Sequence, residues 1–344
     1  MFVERVLSGM RPTGRLHLGH YHGVLANWIK LQHEYPCQFF VADWHALTTA
    51  YDEPGTITQN AWDMVVDWLA AGVDPAQATI FIQSRVPEHA ELHLLLSMMT
   101  PLGWLERVPT YKDQQEKLTH KDLTTYGFLG YPLLQAADIL IYRADKVPVG
   151  EDQVPHIEFT REIARRFNFL YGQTGRRLPD GEPELKHILA EPAALLTEAS
   201  KMPGLDGQKM SKSYGNTIAL REEEESIRKK VRTMRTDPQR VRRTDAGDPD
   251  QCPVWQFHQI YSNDEVKSWV QQGCRSAGIG CIECKQPVIE GVLKEQEPMR
   301  ERARMYEEDP QLVKNIIADG CEKARKLAQE TMRDVRAAIG LDYS

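Results

Sequence analysis

No apolar run in the 344-residue chain approaches the roughly 20 residues that a bilayer-spanning helix needs, which excludes a helical membrane protein. The first fifteen residues carry charges and no continuous apolar stretch before a small-residue cleavage site. They do not read as a secretory signal, and the cytoplasm is the expected compartment. Internal repeats and low-complexity segments are missing too, so neither a solenoid nor a disordered scaffold is expected. Positive charge is not in excess: the formal net charge of −7 argues against a protein that coats nucleic acid indiscriminately, and DNA is not an expected partner. A local basic patch on an acidic body can still bind RNA. Cysteines are few, yet four of the six crowd between Cys252 and Cys284, which in a reducing compartment points to a metal site more than to disulfides.

The length favours a larger domain followed by a smaller one. In the first half, strand-like and helix-like patterns alternate, the trace of an α/β fold with a parallel sheet and covering helices. Runs 38–42 and 79–83 suit buried strands. Between them, Trp62, Val65, Val66 and Leu69 fall on one helical face, completing a βαβ unit. Further helices are expected over 133–142 and 152–167, flanking the loop 147–150. From about Leu220 strand signals fade and amphipathic helices run to the end, so residues 1–218 and 219–344 form the expected division.

Two short motifs carry chemistry. Ser8-Gly9-Met10-Arg11-Pro12-Thr13-Gly14 precedes His17-Leu18-Gly19-His20, which opens a helix. Glycines let backbone approach a ligand, and a helix N-terminus offers unpaired N–H groups to phosphate. His17 and His20 can donate to phosphoryl oxygens as charge develops. A pair of surface histidines beside a turn would look the same. Lys209-Met210-Ser211-Lys212-Ser213 places two ammonium groups on a loop, suited to a pyrophosphate leaving group. Alone it reads equally as a solvated loop.

Together, in this order, HLGH and KMSKS resemble the two signatures of class I aminoacyl-tRNA synthetases. The resemblance narrows to the tryptophanyl branch at Gly150-Glu151-Asp152-Gln153, at Tyr131 to Asp138, and at Ala42-Asp43-Trp44-His45-Ala46-Leu47-Thr48, and it extends over nearly the whole chain. It implies a Rossmann-like catalytic sheet with a C-terminal all-helical anticodon-binding domain. It also implies ATP with Mg²⁺, L-tryptophan and tRNA(Trp) as partners, and a homodimer.

Around ATP the resemblance places Arg11, Pro12, Thr13, Gly19 and His20, then Lys112, Gly150, Glu151 and Asp152, with Asp152 accepting the ribose hydroxyls. Lys201 and Met202 are expected beside adenine, followed by Lys209, Met210, Ser211, Lys212 and Ser213. Around tryptophan it places Gly9, His45, Tyr131, Gln135, Asp138 and Gln153, with Gln153 on the substrate amine. An indole N–H is donor only, so its recognition requires a buried acceptor, for which Asp138 stands. Alternatively Asp138 pairs with Arg143 or Lys146. Tyrosyl-tRNA synthetases share much of this layout, and a non-catalytic RNA-binding or redox-sensing paralogue is a reading of a different class.

Cys252, Cys274, Cys281 and Cys284 can complete a tetrahedral zinc site or a [4Fe–4S] cluster. A subset of tryptophanyl-tRNA synthetases holds such a cluster on a similar quartet, whereas Cys37 and Cys321 read as unligated. Arg228, Lys229, Lys230, Arg232, Arg235, Arg240, Arg242 and Arg243 form a basic stretch suited to tRNA phosphates or, equally, a solvated helix face paired with the acidic run 222–225.

Overall fold

The computed structural model describes residues 4–108, 123–178, 180–196 and 202–343. The strands are β1 (Val6–Met10), β2 (Cys37–Val41), β3 (Ala78–Ile82), β4 (Lys146–Val149), the short hairpin β5 (Gln173–Arg177) and β6 (Pro183–Leu185), and β7 (Ala193–Leu196). Five of them form one sheet in the order β3-β2-β1-β4-β7, every pair parallel. Val6 to Met10 lie opposite Cys37 to Val41, and all five β2 residues are buried, as a parallel strand covered on both faces requires. The chain leaves β1 toward β2 on one side and later returns to β4 on the other. This reversal opens a crevice beyond the carboxyl ends of β1 and β4, where ligands bind in open α/β sheets.

After β1, helix α1 (Leu18–His20) passes through a π-helical stretch, Tyr21–Leu25, into α2 (Ala26–Leu31). There follow α3 (Asp43–Ala50), α4 (Ile57–Ala71), α5 (Glu88–Ser97), α6 (Leu102–Glu106), α7 (Tyr126–Leu129), α8 (Tyr131–Leu140) and α9 (Val154–Tyr171). Trp28 of α2 stacks on Phe39 of β2 with centroids 4.2 Å apart, and Trp68 of α4 meets it edge-on. The βαβ unit forms as expected. The expected helices start and stop a few residues away: Pro132 falls in the first turn of α8, where its missing N–H costs nothing. A 3₁₀ turn, Glu151–Gln153, precedes α9.

The second region is helical: α10 (Glu224–Arg232), α11 (Pro253–Tyr261), α12 (Asp264–Arg275), α13 (Cys281–Glu308) and α14 (Pro310–Ile339). It does not have a core of its own. Helix α13 packs along α4, and α14 runs against β3 and α5, so one apolar cluster extends from Val6 to Val335. Contact with α13 explains why α4 is buried almost all round from Met64 to Ala71, beyond the single face its periodicity predicts. At Gly320 of α14 an added Cβ would sit 1.8 Å from the Ile80 carbonyl oxygen, so only glycine lets this helix approach β3 so closely.

Candidate active site

A cavity of about 400 Å³ opens in the crevice between β1 and β4. All six residues expected around the amino acid line it: Gly9, His45, Tyr131, Gln135, Asp138 and Gln153. Arg11 and Gly150 join them from the set expected around the nucleotide. Gly9 serves packing as well, since a Cβ there would meet the Phe40 ring at 2.6 Å.

Asp138 is almost wholly buried on α8. Its Oδ2 accepts from His45 Nε2 at 2.8 Å, and its Oδ1 accepts from His89 Nδ1 at 2.6 Å and Gln83 Nε2 at 2.7 Å. Burial alone pushes this carboxyl up, but the hydrogen bonds from His45 and His89 outweigh burial and bring it to about 2. The carboxylate is therefore ionised, and on Oδ2 His45 is its one donor among the described residues, which leaves that oxygen an open acceptor position. It pairs with neither Arg143, which bonds Asp334 and the Ile188 carbonyl, nor Lys146, which bonds Glu4 and Tyr35.

The HLGH segment is pinned on all sides. Gly19 N donates to His17 Nδ1 at 3.1 Å, and His17 N donates to His20 Nδ1 at 3.2 Å. With both Nδ1 atoms accepting, the proton of each neutral imidazole resides on Nε2, which remains a donor. Burial lowers His17 to about 4, helped by Lys212, and lowers His20 to about 3, helped by His17, Lys212 and Lys209. Ahead of the motif, Leu16 N donates to the buried Asp67 Oδ2 at 3.0 Å, while Arg221 Nε holds Asp67 Oδ1 at 2.6 Å and also reaches Glu307. Behind it, the π-helical turn presents His22 to Glu295 of α13 and Tyr261 of α11, at 3.2 and 3.3 Å.

KMSKS lies against this segment. Lys212 Nζ donates to the Thr13 carbonyl at 3.1 Å, and Met210 is buried beside Gly19. Leu18 N bonds the Ile218 carbonyl, and Leu220 N bonds that of Leu16, so the chain leaving KMSKS forms a bridge with HLGH. Ser211 and Ser213 share a hydrogen bond of 2.8 Å. Buried Asn216, which the motif gave no role, shapes the loop: its Oδ1 accepts from Ser211 N, and its Nδ2 donates to Asp206 and the Lys209 carbonyl. Met202 is buried and bonded to Met210 through backbone, while Glu151 is exposed in the turn after Gly150. Asp152 accepts from Gln153 Nε2 at 3.1 Å in that turn. Lys112 and Lys201 lie outside the described residues.

The family model for class I tRNA synthetases of the tryptophan and tyrosine group matches residues 4–294. The tryptophan–tRNA ligase of Ralstonia nicotianae is 64% identical, with all of both chains aligned, and that of Thermotoga maritima is 51% identical over 98% of this chain and all of its own. The chain belongs to the tryptophanyl-tRNA synthetase family. The crystal structure of tryptophanyl-tRNA synthetase from Campylobacter jejuni, complexed with ADP and tryptophan, superposes with a TM-score of 0.85 at 32% identity. It covers 98% of this chain and all of its own.

In this synthetase, Cys252, Cys274, Cys281 and Cys284 line one small cavity, and all four are free thiols. Burial, followed by the other three cysteines, pushes Cys284 up to about 12. The buried Arg240 guanidinium stands 3.7 Å from Cys274 Sγ. Among the described residues no three His, Cys, Asp or Glu side chains, those of the quartet included, converge closely enough to hold a metal ion. The basic stretch is not uniform either. Lys230 bonds the Thr217 carbonyl and Glu222, and Arg240 is consumed inside the fold by the carbonyls of Ile279 and Arg243. Lys229, Arg232, Arg235, Arg242 and Arg243 remain exposed.

Proposed function

We propose that this synthetase activates L-tryptophan with ATP and passes it to tRNA(Trp). The observation that carries the reading is the cavity between β1 and β4, which holds the buried, ionised Asp138 and, from the loop that leads into the joined HLGH and KMSKS segments, Arg11. In the first step a carboxylate oxygen of tryptophan attacks the α-phosphorus of ATP, the bond to the β-phosphate oxygen breaks, and pyrophosphate leaves as its Mg²⁺ complex. The Nε2–H groups of His17 and His20 donate to the reacting phosphate, and Lys209 and Lys212 balance charge on the leaving group. Gln153 faces the substrate amine and Asp152 the ribose. In the second step a terminal ribose hydroxyl of tRNA displaces AMP from the adenylate.

Residues 1–218 perform the chemistry and residues 219–344 receive the tRNA, a division of labour across one shared core. The exposed Lys229, Arg232, Arg235 and Arg242 supply phosphate contacts. Leu94 of α5, Met98 just past its end, Leu102 of α6 and Tyr126 of α7 are 54–73% exposed, an apolar surface that a second copy covers in a homodimer. Among the described residues no helix is long and apolar enough to cross a membrane, in keeping with a cytoplasmic site of translation.

Cys252, Cys274, Cys281 and Cys284 would hold an iron–sulfur cluster. The donor set fits: four thiols around one cavity repel one another when ionised, so an iron core would relieve their repulsion, and Arg240 would balance its negative charge. When bound there, such a cluster would cross-link α12 and α13 to the start of α11 through these four cysteines. Anaerobic purification with iron and sulfide assay and visible absorption tests it, and a colourless, iron-free protein refutes it.

The function itself is tested by ATP–pyrophosphate exchange with tryptophan and with tyrosine. Tryptophan-dependent exchange is expected. Tyrosine-only exchange would overturn the substrate, and none with either would leave an inactive paralogue.

A further inference from the structure

Behind the amino-acid cavity runs a row of buried polar side chains to which the two signatures give no part. Gln83 and His89 are wholly buried, and Tyr142 is almost so. Gln83 Oε1 accepts from Trp44 N at 3.2 Å, which orients the amide so that Nε2 donates to Asp138 Oδ1 at 2.7 Å. His89 Nδ1, 2.6 Å from the same oxygen, must carry its proton to face a carboxylate. Its Nε2 then accepts from the Tyr142 hydroxyl at 2.7 Å. Tyr142 rises well above its usual pKa through burial, so it keeps the proton it donates.

The consequence lies in counting lone pairs. A carboxylate oxygen accepts two hydrogen bonds in its plane, and both positions on Oδ1 are taken. Of the two on Oδ2, one is taken by His45. A carboxylate held at three points cannot pivot to offer a second acceptor.

Resting on the functional reading above, we infer that Gln83, His89 and Tyr142 are positioning residues that present Asp138 to the cavity as a carboxylate with one open acceptor, and thereby set selectivity for a side chain bearing one ring N–H. They act through Asp138 and do not touch the substrate. A ring of the same size without the N–H would leave that acceptor buried and unsatisfied, a penalty that an apolar pocket cannot impose. Loosening the carboxylate lets it turn toward other donors, so the penalty shrinks.

The test compares exchange kinetics for tryptophan and for its benzothiophene analogue, in which sulfur replaces the ring N–H. The wild type should prefer tryptophan strongly in kcat/KM. In Tyr142→Phe, which loses one oxygen, the preference should fall about tenfold, the equivalent of one net buried hydrogen bond, mainly through a higher KM for tryptophan. His89→Phe should lower it further, with thermal unfolding recorded for both variants to establish that they fold. A parallel loss for both substrates with the ratio unchanged would mean that these residues only pack, and would overturn the inference. So would a wild type that accepts both equally. Activation of tyrosine but not tryptophan by the wild type would instead sink the functional reading, before any variant is made.

Discussion

The ammonium of Lys212 donates to the backbone carbonyl of Thr13 at 3.1 Å, so a KMSKS lysine is bonded to the loop that leads into HLGH. The positive charge proposed to assist pyrophosphate departure is thereby held next to His17 and His20, whose pKa values it helps depress. Lys212→Met should lower kcat of tryptophan-dependent exchange by about 100-fold or more, the usual cost of removing one donor to a developing charge. A fall in KM alone, with kcat intact, would contradict that role.

Because burial, with neighbouring cations, lowers His17 to about 4 and His20 to about 3 from 6.5, the unfolded chain binds protons between pH 6.5 and about 4 that the folded chain does not. Stability therefore rises with pH across that window and is lost as pH falls through it. Melting temperature measured from pH 7 down to 4.5 should drop less steeply in a His17→Asn, His20→Asn double variant, whose Oδ1 atoms can still accept from the backbone. Identical slopes would count against the shifts.

Asp67 secures the entry to HLGH through Leu16 N and is itself held by Arg221. Replacement by Ala strands a partly buried guanidinium and orphans a buried N–H, so a loss of about 3 kcal/mol is expected in urea unfolding. Asp67→Asn, still able to accept from Leu16, should lose less. Equal losses would show that charge alone matters there.

Asn216 organises KMSKS through three hydrogen bonds. Asn216→Ala should raise KM for ATP severalfold while KM for tryptophan stays near the wild-type value, which initial-rate kinetics can resolve.

Gly320→Ala would drive a methyl into the Ile80 carbonyl. Separating α14 from β3 should cost about 1–3 kcal/mol, read from the denaturation midpoint.

The legibility of these features tracks how local their physics is. The β2–α4–β3 unit announces itself because apolar periodicity is a property of neighbouring residues. The six residues expected around the amino acid are legible because they sit in or beside short motifs, and all six line the cavity. Gln83 and His89 carry no local signal, since their meaning arises only where the turn after β3 and helix α5 bring them to the Asp138 carboxylate from 55 and 49 positions away in sequence, and Tyr142, just past α8, reaches it only through His89. The π-helical turn carries no local signal either, and its His22 meets Glu295 from 273 residues away. The shared core was hidden because an amphipathic stripe on α13 or α14 does not say which surface covers it.

Helix α13 carries Cys281 and Cys284 in its first turn, Glu295 and Gln296 at its middle, and Glu307 near its end. At 1.5 Å per residue its 28 residues make a beam about 42 Å long. Gln296 bonds the Ala219 carbonyl, Glu295 bonds His22, and Glu307 reaches Asp67 through Arg221. A tilt of the beam at its cysteine end strains these three rivets in turn, so the helical half does not reorient as an independent hinge-bound module without disturbing the frame around HLGH.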